Sequence, residues 1–235
     1  MGLVIAGVIF APVAYFLIDS IPFTAIGISA LMIGFTSLAL ANSRLFISPE
    51  ASELMMKAGM ENTSALLEEF GLRNKAIYLP SSMLGGRSYA VVPLKNTIEL
   101  DRIVAKIPGR LIVHYGDNPE DMAVAVTTPG NIRLDGLDIK SGATPTEIES
   151  AMTYALVGLL DLANSVAINL ADRQMDIVVS GVRLHYEDNW YYRCLGSPIA
   201  SIVANIVCES LGKPVRIAVE TYQRGKEHIL LEVLS

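Results

Sequence analysis

The chain has 235 residues, 51% of them hydrophobic, and a formal net charge of −6 at pH 7. All 18 basic residues, and every acid except Asp19, lie after residue 41, so the remainder is acidic; this argues against nucleic acid as a partner and against a polybasic lipid-binding patch. The two cysteines, Cys194 and Cys208, form no CxxC pair; they make neither a disulfide framework nor a zinc site and read as reduced, buried thiols.

Gly2–Ile18 and Phe23–Ala41 are uncharged and almost wholly apolar. About twenty apolar residues span a bilayer core; the second segment meets that length, and the first is short and carries Pro12. Only Asp19, Ser20, Ile21 and Pro22 connect them, which predicts an antiparallel transmembrane hairpin over residues 1–41. Small residues let membrane helices approach closely. Gly27, Ala30, Gly34, Ser37 and Ala41 form such a seam on the second helix, and Gly7, Ala11 and Ala14 a similar one on the first, serving the hairpin or a neighbouring subunit. No Lys or Arg precedes Arg44, so the first segment lacks the basic start of a cleaved signal peptide. Arg44 and Lys57 after the second span place the remainder, 42–235, in the cytoplasm by the positive-inside rule. The predicted location is the cell membrane, with two spans.

Ser48-Pro49-Glu50 opens a helix running to Phe70, with Gly71 as its stop. Lys75–Leu79 and Ser88–Leu94 read as a strand pair around the loop Pro80–Arg87. Ile98–Lys106 reads as a short helix, Arg110–Tyr115 and Met122–Thr127 as a second strand pair, and Thr128–Gly142 mostly as loop. Thr144-Pro145-Thr146-Glu147 has capping-box spacing and predicts a helix to about Ala171, apolar on most faces, taken as the central core helix; Glu147, Glu149 and Asp161 argue against a third span. Met175–His185 reads as a strand, Ser197–Leu211 as a helix stopped by Gly212, and Val215–Thr221 with His228–Leu234 as a closing hairpin. The order helix end, Gly, strand, turn, strand occurs in Leu66–Leu94 and again in Ile206–Leu234. The fold class is α+β: a transmembrane helical hairpin, then a mixed α/β soluble domain with repeated αββ units, open to division into halves of about 48–143 and 144–235.

Walker A, GxGxxG, GxSxG and HExxH motifs are absent from the sequence. His114, His185 and His228 are scattered on strands or strand ends and read as structural or surface residues. The densest polar and aromatic cluster, His185 to Pro198, holds the only Trp and runs into the helix start at Ser197. A helix N-terminus offers free N–H groups to an anion, and Arg193 offers a donor pair. The functional reading is therefore an anion or small-ligand pocket of Trp190, Tyr191, Tyr192, Arg193 and Ser197; the structural reading is a capped helix beside an aromatic corner of the core. Gly85-Gly86-Arg87 is a second possible anion cradle, or an ordinary hairpin tip.

The whole layout resembles function-unassigned archaeal membrane proteins, through the N-terminal hairpin, Glu61–Leu72 running into Lys75–Pro80, and Val126-Thr127-Thr128-Pro129-Gly130. That resemblance implies no activity. Gly196–Val233 is similar to the end of V4R domains, small-molecule-binding regulatory modules, in which a helix leads through a Gly-Lys-Pro-Val-like turn to a β-hairpin. The cysteines usual in that hairpin are replaced here, as at Tyr222 and Ile229, so no ligand or metal residue carries over. These readings predict a membrane-anchored, non-catalytic scaffold or assembly subunit that self-associates, with the lipid bilayer as partner and no cofactor or metal. The alternative is a membrane-tethered small-molecule sensor of V4R-like type with its pocket near Trp190–Ser197.

Overall fold

The computed structural model describes residues 2–42, 49–84, 86–95, 111–131, 141–171, 174–184 and 189–234. Contacts divide the chain into two compact units, Met1–Lys57 and Ala58–Ser235.

In the first unit, helices α1 (Gly2–Phe16) and α2 (Ile21–Asn42) pack side by side. The connection tightens through Ser20 N–H to Ala14 O, with Asp19 at φ 50°. The seam is as close as small residues permit. A Cβ on Gly27 would lie 2.8 Å from Ala11, one on Gly7 2.8 Å from the Leu31 nitrogen, and one on Gly34 2.6 Å from Val4. Ala30 is half-buried in the same seam, whereas Ser37 is exposed: it stands a turn beyond the Gly34–Val4 contact, and Leu38 is half-buried in its place. Ala41's side chain lies outside the described residues. Around the seam, Ile5, Ile9, Phe16, Phe23, Met32 and Phe35 are exposed. Thr24, Ser29 and Thr36 return their hydroxyls to carbonyls one turn back, which satisfies those donors without water.

Ile21–Leu40 is long and apolar enough to cross a membrane. Trp190–Leu211 passes the same test of length and apolarity, but 89% of its window is buried within the protein, as in the core helix of a folded domain.

Helix α3 (Pro49–Glu69) leads into the second unit, whose described residues are built on an eight-stranded antiparallel sheet. Its strands are β1 (Ile77–Leu79), β2 (Tyr89–Pro93), β3 (Ile112–His114), β4 (Met122–Val126), β5 (Ser165–Ala171), β6 (Gln174–Ser180), β7 (Val215–Gln223) and β8 (Lys226–Val233), in the order β3-β4-β2-β1-β7-β8-β6-β5. The first four strands and the last four follow the same internal order: third, fourth, second, first. Leu66–Leu94 and Ile206–Leu234 do each contain a helix end and a hairpin, and their first strands, β1 and β7, pair at the centre of the sheet. By place in the sheet, however, β7–β8 correspond to β3–β4, and β1–β2 to β5–β6.

The sheet is covered unequally. Strands β1, β2 and β4 are buried on nearly every residue, as their continuous apolar runs require. Strands β6 and β8 alternate, with Met175, Ile177, Val179, Glu227, Ile229 and Leu231 inward and Asp176 and His228 outward. Helix α6 (Pro198–Leu211) packs on β1 and β7 and is buried at every residue from Pro198 to Cys208. Ser197 caps its start, and Gly212, at φ 62°, closes its end.

The expected core helix from Thr144 to Ala171 is corrected. Its capping box is present and α4 forms over Pro145–Thr153, but the chain then widens into a π-helical segment, Tyr154–Leu159, and re-enters the sheet as β5. Ser165, Ala167 and Asn169 are exposed while Val166 is buried, a period of two that an apolar run on several helix faces conceals. The core helix is α6. The helix expected over Ile98–Lys106 lies outside the described residues, as does His185.

Candidate functional site

Helix α5 (Trp190–Leu195) begins where Asn189 accepts from the Tyr192 N–H at 3.1 Å. It is fastened to the segment after α3: the Trp190 indole donates to Leu72 O at 2.8 Å, and Ala76 N–H donates to Cys194 O at 2.7 Å. Tyr191 and Tyr192 are buried and meet edge to face, with centroids 6.3 Å apart. Arg193 is exposed, its guanidinium 5.6 Å from the Trp190 ring centroid. The predicted ligand residues therefore divide. Tyr191, Tyr192 and Ser197 are buried in the core, while Arg193 lies outside on Trp190.

Gly196 carries the chain from α5 to α6 at φ 78°. A Cβ there would lie 2.6 Å from Ile217 Cδ1 and 3.0 Å from a Glu220 carboxylate oxygen, so the turn suits glycine on both conformation and space. The Ser197 N–H then donates to both Glu220 carboxylate oxygens, at 3.2 and 3.1 Å. The Ser197 hydroxyl accepts from Ala200 N–H at 2.9 Å and donates to Glu227. The anion seat expected at this helix end is occupied by the chain's own carboxyl groups.

Glu227 is 1% exposed, and burial, with the Glu220 charge beside it, pushes its pKa up to about 8. The Ser197 hydrogen bond opposes that shift. At neutral pH Glu227 is thus mostly a neutral acid, which lets two carboxyls share one helix end without two full charges. Above them Tyr78, fully buried, donates to Leu195 O at 2.6 Å, and burial holds its phenol protonated. Burial also pushes up Tyr191, to about 12, and the thiols of Cys194 and Cys208. Both cysteines are buried and free, as expected, and a protonated buried thiol is a poor nucleophile.

Two further polar clamps hold α6. Glu209 accepts from the Ser81 N–H and hydroxyl at 2.7 and 2.8 Å, so a carboxylate also occupies the start of the Pro80–Arg87 loop; of the Gly-Gly-Arg cradle, Gly85 lies outside the described residues. The Thr128–Asn131 turn docks on the helix, where Asn131 accepts from Thr128 and donates to Asn205 Oδ1 at 3.1 Å. Among the described residues, no group of three or more His, Cys, Asp or Glu could hold a metal ion.

Sequence reasoning overlooked Glu220 and Glu227. A signal for Glu227 was present: it falls in phase with Ile229 and Leu231, the inward residues of β8.

The second unit is thus an α+β domain whose central helix end is closed by internal carboxyls. The chain belongs to the family described as a domain of unknown function, DUF7982, whose model matches residues 1–233. No curated protein and no solved structure matches the chain.

Proposed function

We propose that the protein is a membrane-anchored, non-catalytic scaffold or assembly subunit that self-associates, with α1 and α2 crossing the bilayer as a hairpin and the second unit on the cytoplasmic side. The observation that carries the anchor is the arrangement of the first unit: Gly7, Gly27 and Gly34 lie closely against Leu31, Ala11 and Val4 of the facing helix, and its bulky apolar side chains face outward, the distribution suited to lipid. The non-catalytic reading is supported by the engagement of Ser197 in its cap and by the protonated, buried thiols. The lean to the cytoplasmic side comes from Arg44 and Lys57.

The sensor reading has less support, because the α6 end already carries Glu220 and Glu227 and Arg193 is turned outward. Native mass spectrometry of the detergent-extracted full chain tests the proposal. A homo-oligomer or a defined complex without small molecules is expected. A lone monomer at all concentrations, with no partner on pull-down, overturns it. A discrete extra small mass on a monomer or dimer favours the sensor.

A further inference from the structure

The centre of the sheet contains a junction that its two ends can repeat. There β1, the first strand of its four, pairs antiparallel with β7, the third strand of the other four, through Ile77↔Arg216 and Tyr78↔Val215. The edges are the remaining members of the same two classes: β3 is a third strand and β5 a first strand. Strand senses alternate across all eight strands, so a second copy placed with its β3 beside β5 meets it antiparallel and continues the order without a break. The central junction needs only two residue pairs, so the three residues of β3 are long enough to form its equivalent.

Among the described residues, the two edge strands themselves carry no charged or proline block: β5 (SVAINLA) and β3 (IVH) have no Lys, Arg, Asp, Glu or Pro, and an uncharged edge strand is a template for another strand. β5 is guarded only by helix α4, which packs against it. The Ile168 N–H lies outside the β5–β6 ladder and donates at 3.3 Å to the Glu149 carboxylate, a side-chain cap that an incoming strand displaces. On the other edge, Ala125 N–H donates to Leu111 O, and Tyr115 N–H to Asp121 O. Leu111 and Tyr115 therefore face β4, and His114, one residue out of phase, directs its N–H away from β4.

We infer that copies of this chain join head to tail through β5 of one and β3 of the next, reproducing between chains the β1–β7 junction found within one. The inference rests on the proposed self-association and names its surface. Such contacts are heterologous, giving rings or open arrays rather than two-fold dimers.

The test uses the full chain in detergent, with Ile168→Pro to block β5 and His114→Pro to block β3; each removes a donor that its own ladder does not use. Native mass spectrometry is expected to show oligomers for the wild type, monomers for each variant alone, and a one-to-one heterodimer when the two are mixed, through the one open edge left on each. A monomeric wild type overturns this inference, and one that also captures no partner on pull-down overturns the proposed function. Oligomers that persist in either single variant overturn the junction alone; persistence in His114→Pro indicates β5 pairing with β5, and persistence in both variants indicates association elsewhere. Hydrogen exchange on the wild type reads the junction without any substitution. The Ile168 and His114 amides are expected to be protected in the oligomer and to exchange rapidly on dilution to monomer, and equal exchange in both states overturns the inference.

Discussion

The backbone N–H of Ser197 donates to both carboxylate oxygens of Glu220, 23 residues further along the chain. This contact ties the start of the core helix to the last hairpin, and Glu227 reinforces it from the next strand through the Ser197 hydroxyl. The N–H and the hydroxyl of the capping residue are thereby satisfied inside the fold.

Stability should depend on pH through Glu227. Its pKa is about 8 in the folded protein against an ordinary value of 4.5, so between those limits the folded state holds a proton that the unfolded state has released. Its contribution is full below about pH 4.5 and is lost as pH rises through 8. Thermal unfolding of the detergent-solubilised protein should show the midpoint falling over this window. Glu227→Gln, which stays neutral, should flatten that fall.

Glu220→Ala should destabilise the second unit by roughly 1–3 kcal/mol, because the Ser197 N–H loses its acceptor beside a buried helix end. Arg193→Ala should cost less, about 0.5–1 kcal/mol, since the side chain is exposed and its guanidinium lies over Trp190. Denaturant unfolding of the two variants separates these outcomes. Equal losses would contradict the assignment of Glu220, rather than Arg193, to the helix end.

Gly130→Ala should be among the most damaging single-methyl changes in the chain. The added Cβ would fall 2.1 Å from Ser201 O and 2.9 Å from Ile202 Cα, and both are atoms of the core-helix backbone. Overpacking of this kind costs roughly 1–3 kcal/mol, and the Asn131–Asn205 bond should be lost with it. A melting temperature within 1 °C of wild type, on the scale of about 2–4 °C per kcal/mol for a domain of this size, would show that the turn can lift away freely.

Gly27→Leu should open the helical hairpin, because a Cβ there already meets Ala11 at 2.8 Å. The readout is a cysteine introduced at Ser20 or, in a separate variant, at Lys57, labelled in intact cells. Cys194 and Cys208 are buried, and burial pushes their thiols up, so background labelling by an impermeant maleimide should be low. With the native seam, Ser20→Cys should label from outside and Lys57→Cys should not. Adding Gly27→Leu should reduce correctly inserted protein. Labelling of Lys57→Cys from outside would reverse the proposed orientation.

Local signals were legible where physics is local. The uncharged segments, the helix bounds at Pro49, Pro145 and Ser197, and the turn between β7 and β8, where Gly225 takes φ 76°, follow from apolar length, capping oxygens and a glycine that tolerates positive φ. The ending of the helix from Thr144 was not legible, because Val166 and Leu170, four apart, continue a helix face and, with Ile168 between them, equally make a strand face until β6 is beside them.

The chain's order of residues was enough to establish that its first forty-odd residues suit lipid and that the rest alternates helices with strand pairs, since hydropathy and capping act over a few neighbouring residues. Which strands became neighbours, and which acids were buried against Ser197, depended on contacts between distant segments. Glu220 and Glu227 acquire their role only when β7 and β8 fold under α6, because burial and proximity to another charge are properties of packed chains.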